Sequence, residues 1–237
     1  MSESSIDEHQ VGSARQWWVG YAWTAAAAAG CLALMVWQVL VAGPFVAWDW
    51  PFHQYVDARQ PDGLLRGVLD ILANVGGQRL YTVPILLGVG VWVARTQRSW
   101  RPLVAIGAGL STVFFVGYAV KFGLGRTAPA DGVDVLHGAG QAFPSGHTAN
   151  ATLTWILIVA LIFGAAGARP SPARFRRWLA AAIGVVTVAG MLMAVLDYHW
   201  LSDIPGGWLL GLLALMVSLL VLGPGPPVEP ATSSRSR

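Results

Sequence analysis

Charged residues are scarce in this sequence. Asp, Glu, Lys and Arg make up 11% of its 237 residues, whereas 55% are hydrophobic and the mean hydropathy is +0.55. A soluble domain carries roughly 25% charged residues, so a single water-soluble domain is excluded. The apolar residues form recurring long stretches without internal charge, which is typical of a helical membrane protein.

Cysteine is nearly absent as well. The single Cys31 has no partner in the chain, which excludes an internal disulfide and leaves the redox compartment undetermined. We expect Cys31 to be a small, buried apolar residue of the first membrane span. The sequence also lacks a basic stripe interleaved with aromatic residues, so the pI of about 9.4 does not indicate nucleic acid. Anionic lipid headgroups are the better partner for its positive charge.

Six spans account for the apolar stretches, most of them close to the ~20 residues that cross a bilayer. They cover about 17–41, 80–94, 102–120, 147–167, 178–196 and 204–222. The second is the weakest, because Gly76, Gly77, Gln78 and Arg79 precede it, and we expect its apolar lead-in, 64–75, to be shallow or re-entrant. The sequence thus predicts an all-α membrane domain, 17–222. It lies between a polar tail, 1–16, and a disordered tail rich in Pro, Gly and Ser, 223–237.

The basic residues set the orientation of these spans. With the N-terminus inside, ten of the 15 Lys and Arg residues fall on the inner face, as the positive-inside rule requires. The remaining five, on the outer face, are Arg59, Arg66, Arg79, Lys121 and Arg126. We therefore expect a multi-pass protein of the cell membrane with both termini in the cytoplasm. Residues 121–147 and 199–203 then lie together outside.

A short motif, Pro144-Ser145-Gly146-His147, immediately precedes the fourth span. Pro144 ends the preceding segment, and Ser145 is a favoured N-cap residue. The first-turn N–H groups of the helix then point outward with the positive end of its dipole, which is a phosphate-binding arrangement. Gly146 allows a ligand oxygen to approach the backbone closely. The alternative is a plain capped helix with an interfacial histidine.

His199 and Asp203 form a second motif just before the sixth span. Four residues apart, they share one face of a helix, and a carboxylate bonded to one ring nitrogen leaves the other free to act as a nucleophile. The alternative is an aromatic and acidic interfacial turn. A zinc site is not expected, because no third nitrogen or sulfur ligand is apparent. Lys121 and Arg126 place two cations on the same predicted face, and together these groups describe a site for a phosphate ester.

The motifs resemble those of the type 2 phosphatidic acid phosphatase (PAP2) family, the membrane branch of a superfamily that includes vanadium haloperoxidases. The family pattern is a Lys followed by Arg-Pro, then Pro-Ser-Gly-His, then Ser-Arg followed by a His and an Asp. Here the middle block is intact, Lys121 and Pro129 match the first block, and His199 and Asp203 match the third. The resemblance covers the six predicted spans and implies a PAP2/haloperoxidase-type helical bundle.

The resemblance also implies a role for each matching residue. His199 is the nucleophile that takes the phosphoryl group, Asp203 orients it, and His147 protonates the departing oxygen. The phosphate oxygens are held by Lys121, Ser145 and Gly146. The implied reaction passes through a phosphohistidine and needs no metal and no cofactor.

Two arginines of the family pattern are missing. Ala128 stands at the position of the first, and Leu192-Met193 replaces the Ser-Arg pair. We expect Arg126 to bind phosphate in place of the first, because residues two apart in an extended segment project to the same side and a guanidinium binds phosphate bidentately. Arg66 and Arg79 are further candidates, since both are predicted on the outer face.

Several functions fit this sequence. The first is a phosphatase that hydrolyses an anionic lipid phosphate or diphosphate at the outer face of the bilayer. A lipid phosphotransferase would use the same two histidines and Asp203. The missing arginines favour a catalytically weakened lipid-binding or scaffold protein, and a transporter is a further alternative. The lipid chain, the number of phosphates and the oligomeric state stay open at this stage.

Overall fold

The regular structure of this protein is helical throughout the described part of the chain. A computed structural model describes residues 3–224, with side chains from residue 16 onward. Two short 3-10 turns accompany eight α-helices, which are α1 (Glu3–Leu40), α2 (Asp49–Asp57), α3 (Gly63–Gly77), α4 (Arg79–Gln97), α5 (Arg101–Leu124), α6 (Gly146–Phe163), α7 (Pro172–Val195) and α8 (Asp203–Leu222). The all-α prediction is confirmed.

Five helices are long and apolar enough to cross a membrane: α1 from residue 16 onward, α5, α6, α7 and α8. The protein is therefore a multi-pass membrane protein. Helix α4 corresponds to the second predicted span and is not among the five, so the count of six spans is approximate. Helix α3 covers the predicted shallow segment 64–75 and has 15 residues, which is too short to cross hydrocarbon.

Helix α8 lies at the centre of the bundle and packs against α1, α5 and α6. The largest core cluster joins α4, α5, α6 and α8 through residues such as Leu86, Ile106, Leu157 and Leu215. Many large apolar side chains of α1, α3, α4 and α5 remain exposed. Such exposure costs little in a bilayer, because lipid tails are as apolar as the side chains.

Two expectations from the sequence are affected by this architecture. Cys31 is exposed rather than buried. It lies on α1, most of whose surface is not covered by other helices, and a thiol facing lipid needs no protein cover. Helix α1 already begins at Glu3, so the predicted polar tail is helical from that residue. Of the predicted disordered tail, residues 225–237 lie outside the described residues.

Candidate active site

The starts of α6 and α8 are fixed to each other. The backbone N–H of Ser145 donates to the carbonyl oxygen of Asp203 at 3.1 Å. A Cβ at Gly207 would lie 2.6 Å from the carbonyl oxygen of Ser145, so only glycine permits this approach of α8. Ser145 also caps α6, because its Oγ accepts from the backbone N–H of Thr148 at 3.4 Å, and the predicted N-cap is confirmed. The motif at residues 144–147 and the motif of His199 and Asp203 therefore meet at one end of the bundle.

His199 and Asp203 form the predicted pair. The distance between His199 Nδ1 and Asp203 Oδ2 is 3.2 Å, and Asp203 is completely buried. Because a carboxylate only accepts, Nδ1 carries the proton and donates it. Nε2 then holds the lone pair, and it makes no hydrogen bond within residues 16–224. His199 is 13% exposed, so this nitrogen is positioned as a nucleophile.

Lys121 and His147 lie beside this pair. Lys121 Cε is 4.0 Å from the position that a Cβ of Gly146 would occupy, and its Nζ donates to the carbonyl oxygen of Gln141. His147 follows Gly146 in the first turn of α6, directly after the residues that lie against Lys121 and Asp203. The structure thus brings Lys121, Ser145, Gly146, His147, His199 and Asp203 to the same end of the bundle.

Arg126 lies in the protein interior, whereas the sequence predicted that it would contact phosphate. It is 1% exposed, and a guanidinium has five N–H donors. All five are used by protein acceptors at 2.6–2.9 Å. The acceptors belong to Asp49, Asp134, Ser202 and Asp203. The expected contact with phosphate is not supported, because no donor is left for a ligand.

The network instead makes Arg126 a positioning residue. Its Nη1 donates to Asp203 Oδ1 at 2.9 Å, while the other oxygen of the same carboxylate faces His199. The guanidinium therefore fixes the carboxylate that orients the candidate nucleophile. The chain turns at Gly125, whose φ is +54°, and the next side chain enters the protein interior.

Asp49, the first residue of α2, was not identified from the sequence. Its Oδ1 accepts from the backbone N–H of Ser202 at 2.7 Å, and its Oδ2 accepts from Ser202 Oγ and from Arg126 at 2.5 and 2.7 Å. Burial raises the pKa of Asp49, whereas the charge of Arg126 and the bonds from Ser202 act in the opposite direction. The only signal in the sequence is an acidic residue between two tryptophans, and this signal is weak.

A second His–Asp pair joins α2 to the loop that carries His199. His53 Nδ1 lies 2.8 Å from Asp197 Oδ1, and the ring of His53 meets the edge of Trp200 with a centroid distance of 5.5 Å. Trp200 is buried, and its Nε1 donates to the carbonyl oxygen of Thr127 at 2.7 Å. Helix α2 therefore holds residues 197–203 in place.

The arginine missing at residue 193 has no local substitute. Met193 is 2% exposed and packs with Ala73 of α3 and Ile204 of α8. Arg66 is bonded to Asp70, Gln60 and the carbonyl oxygen of Leu196, so it supports the loop before His199.

Arg79 is the remaining candidate. It is exposed at the start of α4, and one of its nitrogens donates to the hydroxyl of Tyr118 at 3.3 Å. It follows two residues after Gly77, whose backbone lies against the carbonyl group of His147. Of the three arginines considered from the sequence, Arg79 is the one with donors left for an anion near the two histidines.

The described residues hold no cluster of three or more His, Cys, Asp and Glu side chains arranged to bind a metal ion. The site combines a capped helix start, a nearby lysine and a histidine oriented by a buried carboxylate. The model of the PAP2 superfamily matches residues 98–224, a stretch that covers more than half of the chain and all of these groups. The chain belongs to the PAP2 superfamily.

The comparison with solved structures agrees with this membership. The chain is similar to the crystal structure of a transmembrane PAP2-type phosphatidylglycerolphosphate phosphatase from Bacillus subtilis, with a TM-score of 0.67. The match has 17% sequence identity and covers 83% of this chain and 94% of that one. It therefore shows that the two chains share a fold. No curated protein sequence matches the chain.

Proposed function

We propose that the protein is a metal-independent phosphatase that hydrolyses a lipid phosphate or diphosphate through a phosphohistidine. The observation that carries this proposal is the pairing of His199 with Asp203, which leaves Nε2 of His199 available at the end of the bundle where His147 and Lys121 also lie. Membership of the PAP2 superfamily supports it. The membrane fold supports a lipid as the substrate class.

The first step transfers the phosphoryl group to His199. Nε2 of neutral His199 attacks phosphorus, a P–N bond forms, and the bond from phosphorus to the leaving oxygen breaks. Protonated His147 gives its proton to that oxygen, so the lipid leaves as an alcohol or a phosphate. Asp203 stabilises the positive charge that develops on the ring of His199, as the carboxylate does in a catalytic triad.

The second step releases inorganic phosphate. A water molecule attacks the phosphohistidine, neutral His147 takes its proton, and the P–N bond breaks to regenerate neutral His199. Lys121 and the first-turn N–H groups of α6, including Gly146, bind the phosphate oxygens in both steps. Such preorganised donors are the largest contribution to many enzymatic rates. Ser145 supports them indirectly, because its hydroxyl is buried in the helix cap.

We place this site on the outer face of the membrane, with both termini in the cytoplasm. The excess of Lys and Arg on the opposite side supports this orientation. The catalytic domain in this proposal is 17–222, because the helices that carry the site lie within it. Residues 1–16 and 223–237 have no part in the chemistry.

A second candidate is a lipid-binding protein with little or no turnover. Ala128 and the buried Met193 favour it, since two cations of the family pattern are absent from the site. Each lost donor to the transition state costs about 10²–10³ in rate.

Phosphate release by the purified protein tests the proposal and its alternatives. The substrates are phosphatidate, a long-chain isoprenyl phosphate and an isoprenyl diphosphate, each assayed with EDTA, and His199→Gln is the control variant. We expect release from at least one lipid, undiminished by EDTA and absent in the control. Binding of every lipid without release would support the lipid-binding alternative, whereas a phosphorylated alcohol in place of free phosphate would indicate a phosphotransferase.

A further inference from the structure

A groove with a volume of about 390 Å³ runs between α4, α5 and α6. This size lies within the roughly 300–1,000 Å³ of small-molecule sites. We call it the tail groove and define it by Arg79, Val83, Leu110, Ser111, Phe115 and Asn150. Arg79 lies at one end, where α4 begins, and the remaining walls are mostly apolar. Two cavities of about 520 Å³ each include Arg101 or Arg98 in their walls, and both lie at the opposite end of α5 from Lys121.

The start of α4 is fixed against the helix that carries His147. A Cβ at Gly77 would lie 2.5 Å from the carbonyl oxygen of His147, so α3 and α6 touch through their backbones here. Asn150, one turn into α6, donates to the carbonyl oxygen of Gly77 at 2.9 Å. Arg79 follows two residues after Gly77. The charged end of the tail groove therefore lies beside the candidate active site.

Asn150 also provides an acceptor that the protein leaves unused. Its side chain is 1% exposed, and Oδ1 has no hydrogen-bond partner among the described residues. The amide orientation is fixed, because Nδ2 donates to the carbonyl oxygen of Gly77 and to Thr82 Oγ1. The hydroxyl of Thr82 in turn donates its proton to the carbonyl oxygen of Gln78, so it is an acceptor for Asn150. Buried acceptors are rarely left unpaired. An unpaired acceptor on this wall is a candidate partner for the polar linkage of a ligand that carries a hydroxyl or amide donor.

We infer that the tail groove binds the hydrocarbon chain of the substrate lipid, and that Arg79 binds its phosphate in place of the two missing family arginines. The identity of the ligand rests on the proposed function. An apolar groove at the surface of a membrane bundle is open to the bilayer and matches a lipid chain, and a guanidinium at its polar end matches an anionic headgroup. Exposed Arg79 has donors for a bidentate contact, whereas those of Arg126 are consumed.

Binding of alkylphosphonates separates the two halves of this inference, because their C–P bond resists hydrolysis. Hexadecylphosphonate and butylphosphonate are titrated against the purified protein at one fixed detergent concentration. Ser111→Trp fills the groove without removing a core side chain. Val104→Trp is its matched control, since Val104 is an exposed residue of α5 that does not line the groove. Arg79→Ala and Arg79→Lys test the headgroup contact.

Each buried methylene contributes about fourfold in affinity. We therefore expect Ser111→Trp to weaken hexadecylphosphonate binding at least about tenfold, while butylphosphonate binding and the Val104→Trp control are unchanged. Arg79→Ala should weaken both ligands equally, and Arg79→Lys should recover part of the loss because it keeps the charge. Equal effects of the two tryptophans on the long ligand would overturn the groove assignment. Unchanged binding of both ligands by Arg79→Ala would overturn the role of Arg79.

The failure of this inference is distinguishable from the failure of the proposed function. If Ser111→Trp weakens hexadecylphosphonate binding as expected but the wild type releases no phosphate from any lipid phosphate, the groove assignment is supported and the phosphatase proposal fails. If lipid phosphates are hydrolysed but Ser111→Trp leaves hexadecylphosphonate binding intact, the phosphatase proposal is supported and the hydrocarbon chain of the lipid binds elsewhere.

Discussion

Replacing Arg126 by alanine should abolish phosphate release and lower the free energy of unfolding by about 3–5 kcal/mol. The substitution leaves the buried carboxylates of Asp49 and Asp203 without the cation that neutralises them. It also removes the donor that fixes Asp203 behind His199. Thermal unfolding in detergent and phosphate release from the best lipid substrate measure the two effects. Arg59→Ala is the control, because Arg59 is exposed in the turn after α2 and its guanidinium contacts Tyr55 of that helix.

A double variant decides between the positioning role of Arg126 and a direct contact with phosphate. If Arg126 bound phosphate, then Ala128→Arg combined with Arg126→Ala would restore part of the activity by returning a cation to the family position. The five-bond network predicts no recovery, because an arginine at residue 128 does not neutralise Asp49 and Asp203. Recovered turnover in the double variant would contradict the positioning role.

Replacing Asp203 by asparagine should preserve the helical fold and lower kcat by about 10⁴-fold, as the same change does in triad enzymes. The asparagine Oδ1 still accepts from Arg126, but its amide then presents a donor to Nδ1 of His199. The ring must accept there and carry its proton on Nε2, so the nucleophilic lone pair is lost. The measurements are kcat with the best lipid substrate and the helical content of the variant.

Asp134→Asn is the matched control for this change. Asp134 contacts the same guanidinium, but it is 31% exposed and has no contact with His199. We expect its kcat to fall by less than about tenfold, because the asparagine oxygen still accepts from Arg126 and one lost hydrogen bond contributes about 0.5–1.5 kcal/mol. Equal losses in the two variants would mean that Asp203 acts only through the stability of the arginine cluster.

The sequence predicted those parts of the site that depend on local rules. Ser145 at a helix start has a known capping preference, and the spacing of His199 and Asp203 brings their side chains together within four residues. The apolar stretches likewise predicted most of the helices of the bundle. In each case the determining interactions lie within one turn or one span.

Contacts between residues far apart in the chain could not be predicted from local sequence patterns. Arg126 and Asp49 are 77 residues apart in the chain, and no local pattern indicates that α2 folds over the start of α8. Arg126 and the residue at position 128 would project to the same side only in an extended segment. The left-handed turn at Gly125 and the nearby carboxylates direct the side chain inward instead. Arg79 stood out only once the packing of α3 against α6 located it beside His147.

Covalent catalysis by His199 is tested most directly by trapping the phosphorylated protein. The wild type is mixed with a lipid phosphate carrying labelled phosphorus, quenched in alkali within the first turnover and digested for mass spectrometry. We expect an alkali-stable, acid-labile phosphoryl group on the peptide that contains His199, formed as fast as the lipid product and absent in His199→Gln. Turnover of the wild type with the label on another residue, or with none on His199 at any time, would contradict a phosphohistidine mechanism.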